Sequence, residues 1–389
     1  MPHIEESILD DADLLARRDS QGTLRALATA GAQVREAIVL AEEAGVERVA
    51  WGERPRSVLV GALGGSAIVG DILDLLAEPG SPVPVTARRD LPLPGWVGPL
   101  DLVVAVSLSG RAPGPLALAA EAARRGCALL TVGAEDSPLA DVCHRARGVH
   151  IGIGRGRQSS RTSLWTLLAP VLLAAGQLRL VDVDAEVMSA VADRLDDQAE
   201  QCRPASEAFL NPAKNGALVL AETVPMTLGD NALSGVAARR AGNMLARTAR
   251  IPATSGELPH AASQVVACFD GPFTAGGGSG APAAGIFADP FLDAPAQPKL
   301  GLLMLRDQPE ASAAQEQAQG LADALLETAR EAGVRVVEQR AEPGHSVVRL
   351  AELMAAGDYL STYLALGLGV DPSVSPHIAT LRDRTRGAR

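Results

Sequence analysis

Apolar and polar positions along the chain change period several times. Over residues 4–50 apolar residues recur three and four apart, in ILDDADLLARRD and then LRALATAGAQVREAIVLAEEAG. That period predicts a helical lead-in packed on a first sheet. Val58–Val60 then predicts a strand, Ala67–Leu76 a helix, and Pro82–Val85 an edge segment, where a missing proline N–H does no harm. Leu102–Ser107 (LVVAVS) is almost wholly apolar, as a strand buried on both faces of a parallel sheet must be. A helix at Pro115–Arg125 and strands at Ala128–Val132 and Val149–Ile153 follow. Thr162–Gly176 predicts a long apolar helix and Asp182–Cys202 an amphipathic one, after which Pro204 closes a first domain. The pattern then restarts. Strands are expected at Ala217–Leu220, Val265–Phe269, Leu300–Leu305 and Val334–Val337, with helices at Ala232–Ala246 and Ala311–Ala332. Alternating strands and helices imply an α/β fold with mainly parallel sheets sandwiched by helices and right-handed crossovers. The expected division is a lead-in over 1–50, one α/β domain over 51–203 and a second over 204–389. Residues 271–298, rich in Gly, Ala and Pro, form an insertion too long for an ordinary connection, read as a flexible surface loop or a functional lid.

Composition narrows the function. Aromatic residues make up only 3% of the chain, so its core is built from Ala, Val, Leu and Ile. A net charge of −11 and the lack of a basic stripe argue against a nucleic-acid partner, though a small anionic ligand in a locally positive pocket remains compatible. No apolar run approaches the roughly 20 residues that span a bilayer, and the acidic N-terminal stretch lacks a signal-peptide pattern. A cytoplasmic protein without a membrane partner is expected. Four scattered cysteines without a CxxC pair suggest reduced thiols, and no His/carboxylate spacing suggests a metal.

Two turns carry candidate chemistry. In VLVGALGGSAIVGD an apolar strand meets Gly61, Gly64 and Gly65, and Ser66 opens a helix. Glycines allow close backbone approach, and free N–H groups at a helix start favour an anion. The same arrangement recurs where the buried strand ends in Ser107-Leu108-Ser109-Gly110, followed by Arg111. Ligands of open α/β sheets bind at that strand edge, so the two turns could converge on one anion.

With these motifs the chain resembles the sugar isomerase (SIS) domain family, and more closely its bifunctional phosphoglucose/phosphomannose isomerases, which carry two SIS domains. GALGGSAIVGD matches the family's first loop, G-M-G-G-S-x-x-x-G-D, and SLSGRA its second, S-Y-S-G-N-T. The likeness continues at Arg161, at SGVAARRAGNML, at GELPHAASQ and at GDYLSTYLALGLGVDP, so it covers nearly the whole chain. It implies two SIS-type domains, a C-terminal helix crossing between them and a homodimer with the site between subunits. It further implies aldose–ketose isomerisation of glucose 6-phosphate or mannose 6-phosphate with fructose 6-phosphate, without metal or nucleotide cofactor. Gly65, Ser66, Ser107, Ser109 and Arg111 correspond to phosphate-binding positions, Arg161 to the arginine that steadies an enediolate, and His260 to the ring-opening histidine.

The sequence also departs from the family. Ala112 replaces a phosphate-loop threonine and Arg382 a C-terminal lysine. Arg247 stands where the family's catalytic glutamate begins its motif, and a guanidinium with a pKa above about 12 is no general base at neutral pH. Glu257, three residues before His260, is the nearest replacement carboxylate, as base or as a partner orienting His260. Two readings stay open: an isomerase, or a non-catalytic SIS module that binds a phosphosugar and regulates or assembles with other enzymes.

Overall fold

The computed structural model describes residues 3–50, 52–157, 159–274, 299–308 and 313–386. Its first sheet holds β1 (Val58–Ala62), β2 (Val85–Arg88), β3 (Leu102–Ser107), β4 (Ala128–Gly133) and β5 (Val149–Gly152), all parallel, in the order β2-β1-β3-β4-β5. The second holds β6 (Thr223–Gly229), β7 (Thr254–Glu257), β8 (Lys299–Arg306) and β9 (Arg335–Arg340), also parallel, in the order β7-β6-β8-β9. This is the two-sheet α/β architecture expected from the alternating pattern.

Period-two alternation assigns each strand residue to a layer. In β3, Leu102, Val104 and Val106 join the core between the two sheets, while Val103 and Ala105 pack outward against Leu118, Ala119 and Ala122. In the second sheet Met226, Leu228, Leu302 and Met304 face outward onto Leu325, Leu326 and Ala329 of the helix Ala313–Glu331. The central core is shared by both halves. Its axis is the helix Ser346–Gly367, buried along nearly its whole length, which crosses between the halves and packs on the helices Ala185–Gln201, Pro212–Leu220 and Ala232–Met244.

The GDY stretch of that helix now has a physical reading. Gly357 lets it approach Ala241, whose Cβ would lie 2.9 Å from any Cβ placed there. Asp358 takes a two-pronged bond from Arg240, Nε to Oδ1 at 2.9 Å and Nη2 to Oδ2 at 2.6 Å, with both side chains buried. Tyr363 donates its hydroxyl to the Cys202 carbonyl at 2.5 Å.

Several local expectations need correction. Residues 217–220 are the end of the helix Pro212–Leu220, not a strand; Asn211 caps it by accepting from Ala213 N and Lys214 N, and Pro212 suits its first position. Residues 265–269 are not a strand either but parts of the helix Ala262–Ala267 and a 3₁₀ turn, a half-exposed ribbon whose apolar side packs on the outer core. The lead-in helix Ala30–Glu43 rests mainly on the helices Leu164–Gln177 and Ala185–Gln201 and meets the sheet at β5. Of the insertion expected over 271–298, residues 275–298 lie outside the described residues. Among the described residues no helix is long and apolar enough to cross a membrane.

Candidate functional site

In the first sheet the chain steps from β1 to one side for β2 and to the other for β3. The carboxyl ends of β1 and β3 therefore flank the point where strand order reverses, the place where open α/β sheets hold ligands. The two glycine turns lie there. After β1, Gly64–Ser66 forms a 3₁₀ turn leading into the helix Ile68–Ala77. A Cβ on Gly65 would stand 2.3 Å from Ser160 Oγ, so this glycine lets the 159–161 segment close over the loop. After β3, Gly110 has φ +61° and abuts Ser137, the residue that caps the helix Pro138–Arg145. Gly110→Ala would put a Cβ 2.1 Å from Ser137 Oγ in a left-handed conformation. A loss of about 2 kcal/mol is expected, read as a lowered urea midpoint.

Both turns open into one cavity of about 1180 Å³, which also meets residues from 21–33, Gly156, Arg157, residues 159–163, and residues from 244–248 and 373–379. Gly65, Ser66, Ser107, Ser109, Ala112, Arg161 and Arg247 all line it. Ser66 and Ser107 are buried, and among the described residues neither hydroxyl has a protein hydrogen-bond partner. Arg25, Arg161 and Arg247 contribute positive charge, Arg157 is paired with Glu36, and no Asp or Glu is among the described lining residues. On a chain of net charge −11 this wall is the reverse of the average surface, and such a concentration of one sign attracts anions. The helix Pro113–Arg124 contributes little backbone donation: Pro113 and Pro115 have no N–H, and Ala112 offers no capping side chain.

Arg161 is clamped. Its Nη1 donates to the carbonyls of Arg247 (3.1 Å) and Pro372 (3.0 Å) and to Thr248 Oγ1 (3.1 Å), and Nη2 to the Ser373 carbonyl (3.4 Å). Its own carbonyl accepts from Arg240 Nη2 at 2.8 Å, so the Asp358–Arg240 pair fixes its backbone. Burial, and then the neighbouring guanidinium groups of Arg247 and Arg250, push its pKa down.

Residues 209–385 match the family described as the bacterial phospho-glucose isomerase C-terminal SIS domain. The chain is 26% identical over 196 residues to a bifunctional phosphoglucose/phosphomannose isomerase of Caldicellulosiruptor bescii, a match spanning 50% of this chain and only 57% of that relative. The fold matches a solved structure from Thermus thermophilus (TM-score 0.67, 18% identity, 98% of this chain and 95% of that one). It also matches the tagatose-6-phosphate ketose/aldose isomerase of Escherichia coli (TM-score 0.61, 14% identity, 91% and 94%). Residues 209–385 thus resemble a SIS domain in sequence, and the whole fold resembles those of the solved structures.

Three of the residues singled out in the sequence stand away from the cavity lining. Arg111 is exposed and donates from Nη2 to the Asp136 carbonyl at 3.3 Å. Glu257 ends β7 in the second sheet, against the backbone of Gly235, and His260 is exposed on the turn that follows. Arg382 falls in the helix Pro376–Arg386. Among the described residues no cluster of His, Cys, Asp and Glu could hold a metal ion.

The second sheet has its own reversal point, between β6 and β8. There two carboxylates are tied into a hydrogen-bond network. Asp230 Oδ1 accepts from Ser234 Oγ (2.8 Å) and Asp307 N (3.0 Å), and Asp307 accepts from Arg349 Nε at 2.6 Å and Asn231 Nδ2 at 3.2 Å. Burial pushes the Asp230 carboxyl up, against those hydrogen bonds and Arg306. A resident carboxylate thus lies at this helix start, in contrast to the carboxylate-free described lining at the first sheet. Sequence reading did not single out Arg25, Arg157 or Ser160 as cavity residues. Their only local signal is hydroxyl or positive charge in a loop or short helix; the fold, not spacing, brings them to the glycine turns.

Proposed function

We propose that the cavity at β1 and β3 is a sugar-phosphate site, with the phosphate on Ser66, Ser107 and Ser109, and that the protein interconverts fructose 6-phosphate with glucose 6-phosphate or mannose 6-phosphate. The observation that carries the reading is the pairing of free serine hydroxyls with an arginine-lined wall that has no carboxylate among its described residues. The named activity of the Caldicellulosiruptor relative supports the choice of substrates. Proton transfer between neighbouring sugar carbons needs a base and a donor for the ring oxygen. Within one copy no such carboxylate or imidazole is among the described lining residues, so the reaction requires Glu257 and His260 from a second copy in a homodimer.

That requirement makes a sharp test. A Ser66→Ala variant and a Glu257→Gln variant are each expected to isomerise fructose 6-phosphate poorly. Mixed and allowed to exchange subunits, they should regain about a quarter of wild-type activity, because half of the dimers are mixed and each of those has one intact site. Arg247 at the family's base position favours a second reading, a phosphosugar-binding module without turnover. Binding of fructose 6-phosphate without any aldose product, unchanged by Glu257→Gln, would decide for that reading.

A further inference from the structure

The positive wall is not uniform. Arg161, Arg247 and Arg250 form a cluster at the end of the helix Ala232–Met244, which runs on as a π-helical turn over Leu245–Ala249. A π turn rotates the residues on it relative to the helix behind, and such turns concentrate at functional sites. Here it sets Arg247 into the cavity wall, and Arg250 follows with φ 60°. Among the described residues none of the three has a carboxylate partner. Arg161 and Arg250 donate to backbone carbonyls and the Thr248 hydroxyl, whereas the Arg247 side chain has no hydrogen bond to any described residue. The Nε of Arg161 is buried with no acceptor. Three guanidinium groups close enough to repel one another, without a counter-ion, form a site that an anion relieves.

This cluster is additional to the serine turns. The cavity, at about 1180 Å³, exceeds the roughly 300–1,000 Å³ of ordinary small-ligand sites, so a hexose monophosphate seated at the serines leaves space before Arg247. We propose that the cavity selects phosphosugars carrying a second anionic group, a carboxylate or a second phosphate, which Arg247 engages while Arg161 and Arg250 hold the local potential positive. An arginine at the family's base position thus makes a second anion subsite. The proposal rests on the sugar-phosphate reading above.

Titration calorimetry at fixed ionic strength with fructose 6-phosphate, 6-phosphogluconate and fructose 1,6-bisphosphate tests it. One further charge-assisted contact predicts that at least one of the doubly anionic ligands binds about ten- to a hundredfold tighter than fructose 6-phosphate. Whichever of the two is tighter identifies the second group. Arg247→Ala should collapse that ratio toward one, and Arg247→Lys should keep part of it, since a point charge replaces a fork. Equal affinity for all three ligands overturns the proposal, as does a ratio unchanged by Arg247→Ala. Wild-type protein that binds none of them overturns the sugar-phosphate reading itself, a result distinct from tight binding of fructose 6-phosphate with no preference.

Discussion

Asp358→Ala is expected to lower stability by about 3–5 kcal/mol, read as a shift of the urea midpoint at unchanged slope. The carboxylate is the counter-charge of buried Arg240, and alanine would leave that guanidinium charged in an apolar layer between two helices. Burial pushes the Asp358 carboxyl up while Arg240 opposes the shift, so the pair exists by mutual compensation and is no large source of stability in itself. Replacing both members by apolar residues should therefore recover much of the loss, which a single-residue account would not predict. The site should suffer as well. Arg240 also holds the Arg161 carbonyl, and Arg161 ties the 247–248 turn to residues 372–373, so affinity for fructose 6-phosphate should fall in the single variant even where it remains folded.

The double variant Ser66→Ala/Ser107→Ala tests the other end of the cavity. Each hydroxyl that donates to a phosphate oxygen contributes about 1.5–3 kcal/mol. Two losses together predict a weakening of fructose 6-phosphate binding by about a hundredfold or more in titration calorimetry. Stability should barely move, because neither hydroxyl has a protein partner among the described residues to leave unsatisfied. A double variant that binds as tightly as wild type would remove the phosphate from these turns.

The strands β1, β3 and β8 were legible because burial on both faces demands apolar runs, and behind β1 and β3 a glycine turn marks the strand end. Residues 217–220 and 265–269 misled for the same reason: short apolar runs fit a strand or the buried side of a helix equally well. For the first, the Asn211-Pro212 start was the better guide, since it caps a helix. The edge strand β7 (TSGE) carries no apolar alternation, because it is half exposed and paired on one side only. Within the site, the serine turns were legible as strand ends. The company they keep was not: Arg25 and Arg157 line the same cavity from elements far away in sequence, and the absence of acids among the described lining residues becomes visible only when the walls meet.

Those walls come from segments far apart in sequence. Thr23 Oγ1 and Ser373 Oγ are hydrogen-bonded at 2.8 Å across 350 positions of sequence. On the ribosome Thr23 emerges 350 positions before Ser373, so no nascent chain has a closed cavity until that later wall has been made. Sugar phosphate stabilises only the state that binds it. It therefore cannot guide the first sheet as that sheet forms, and its protection arrives in one step, when the last wall docks.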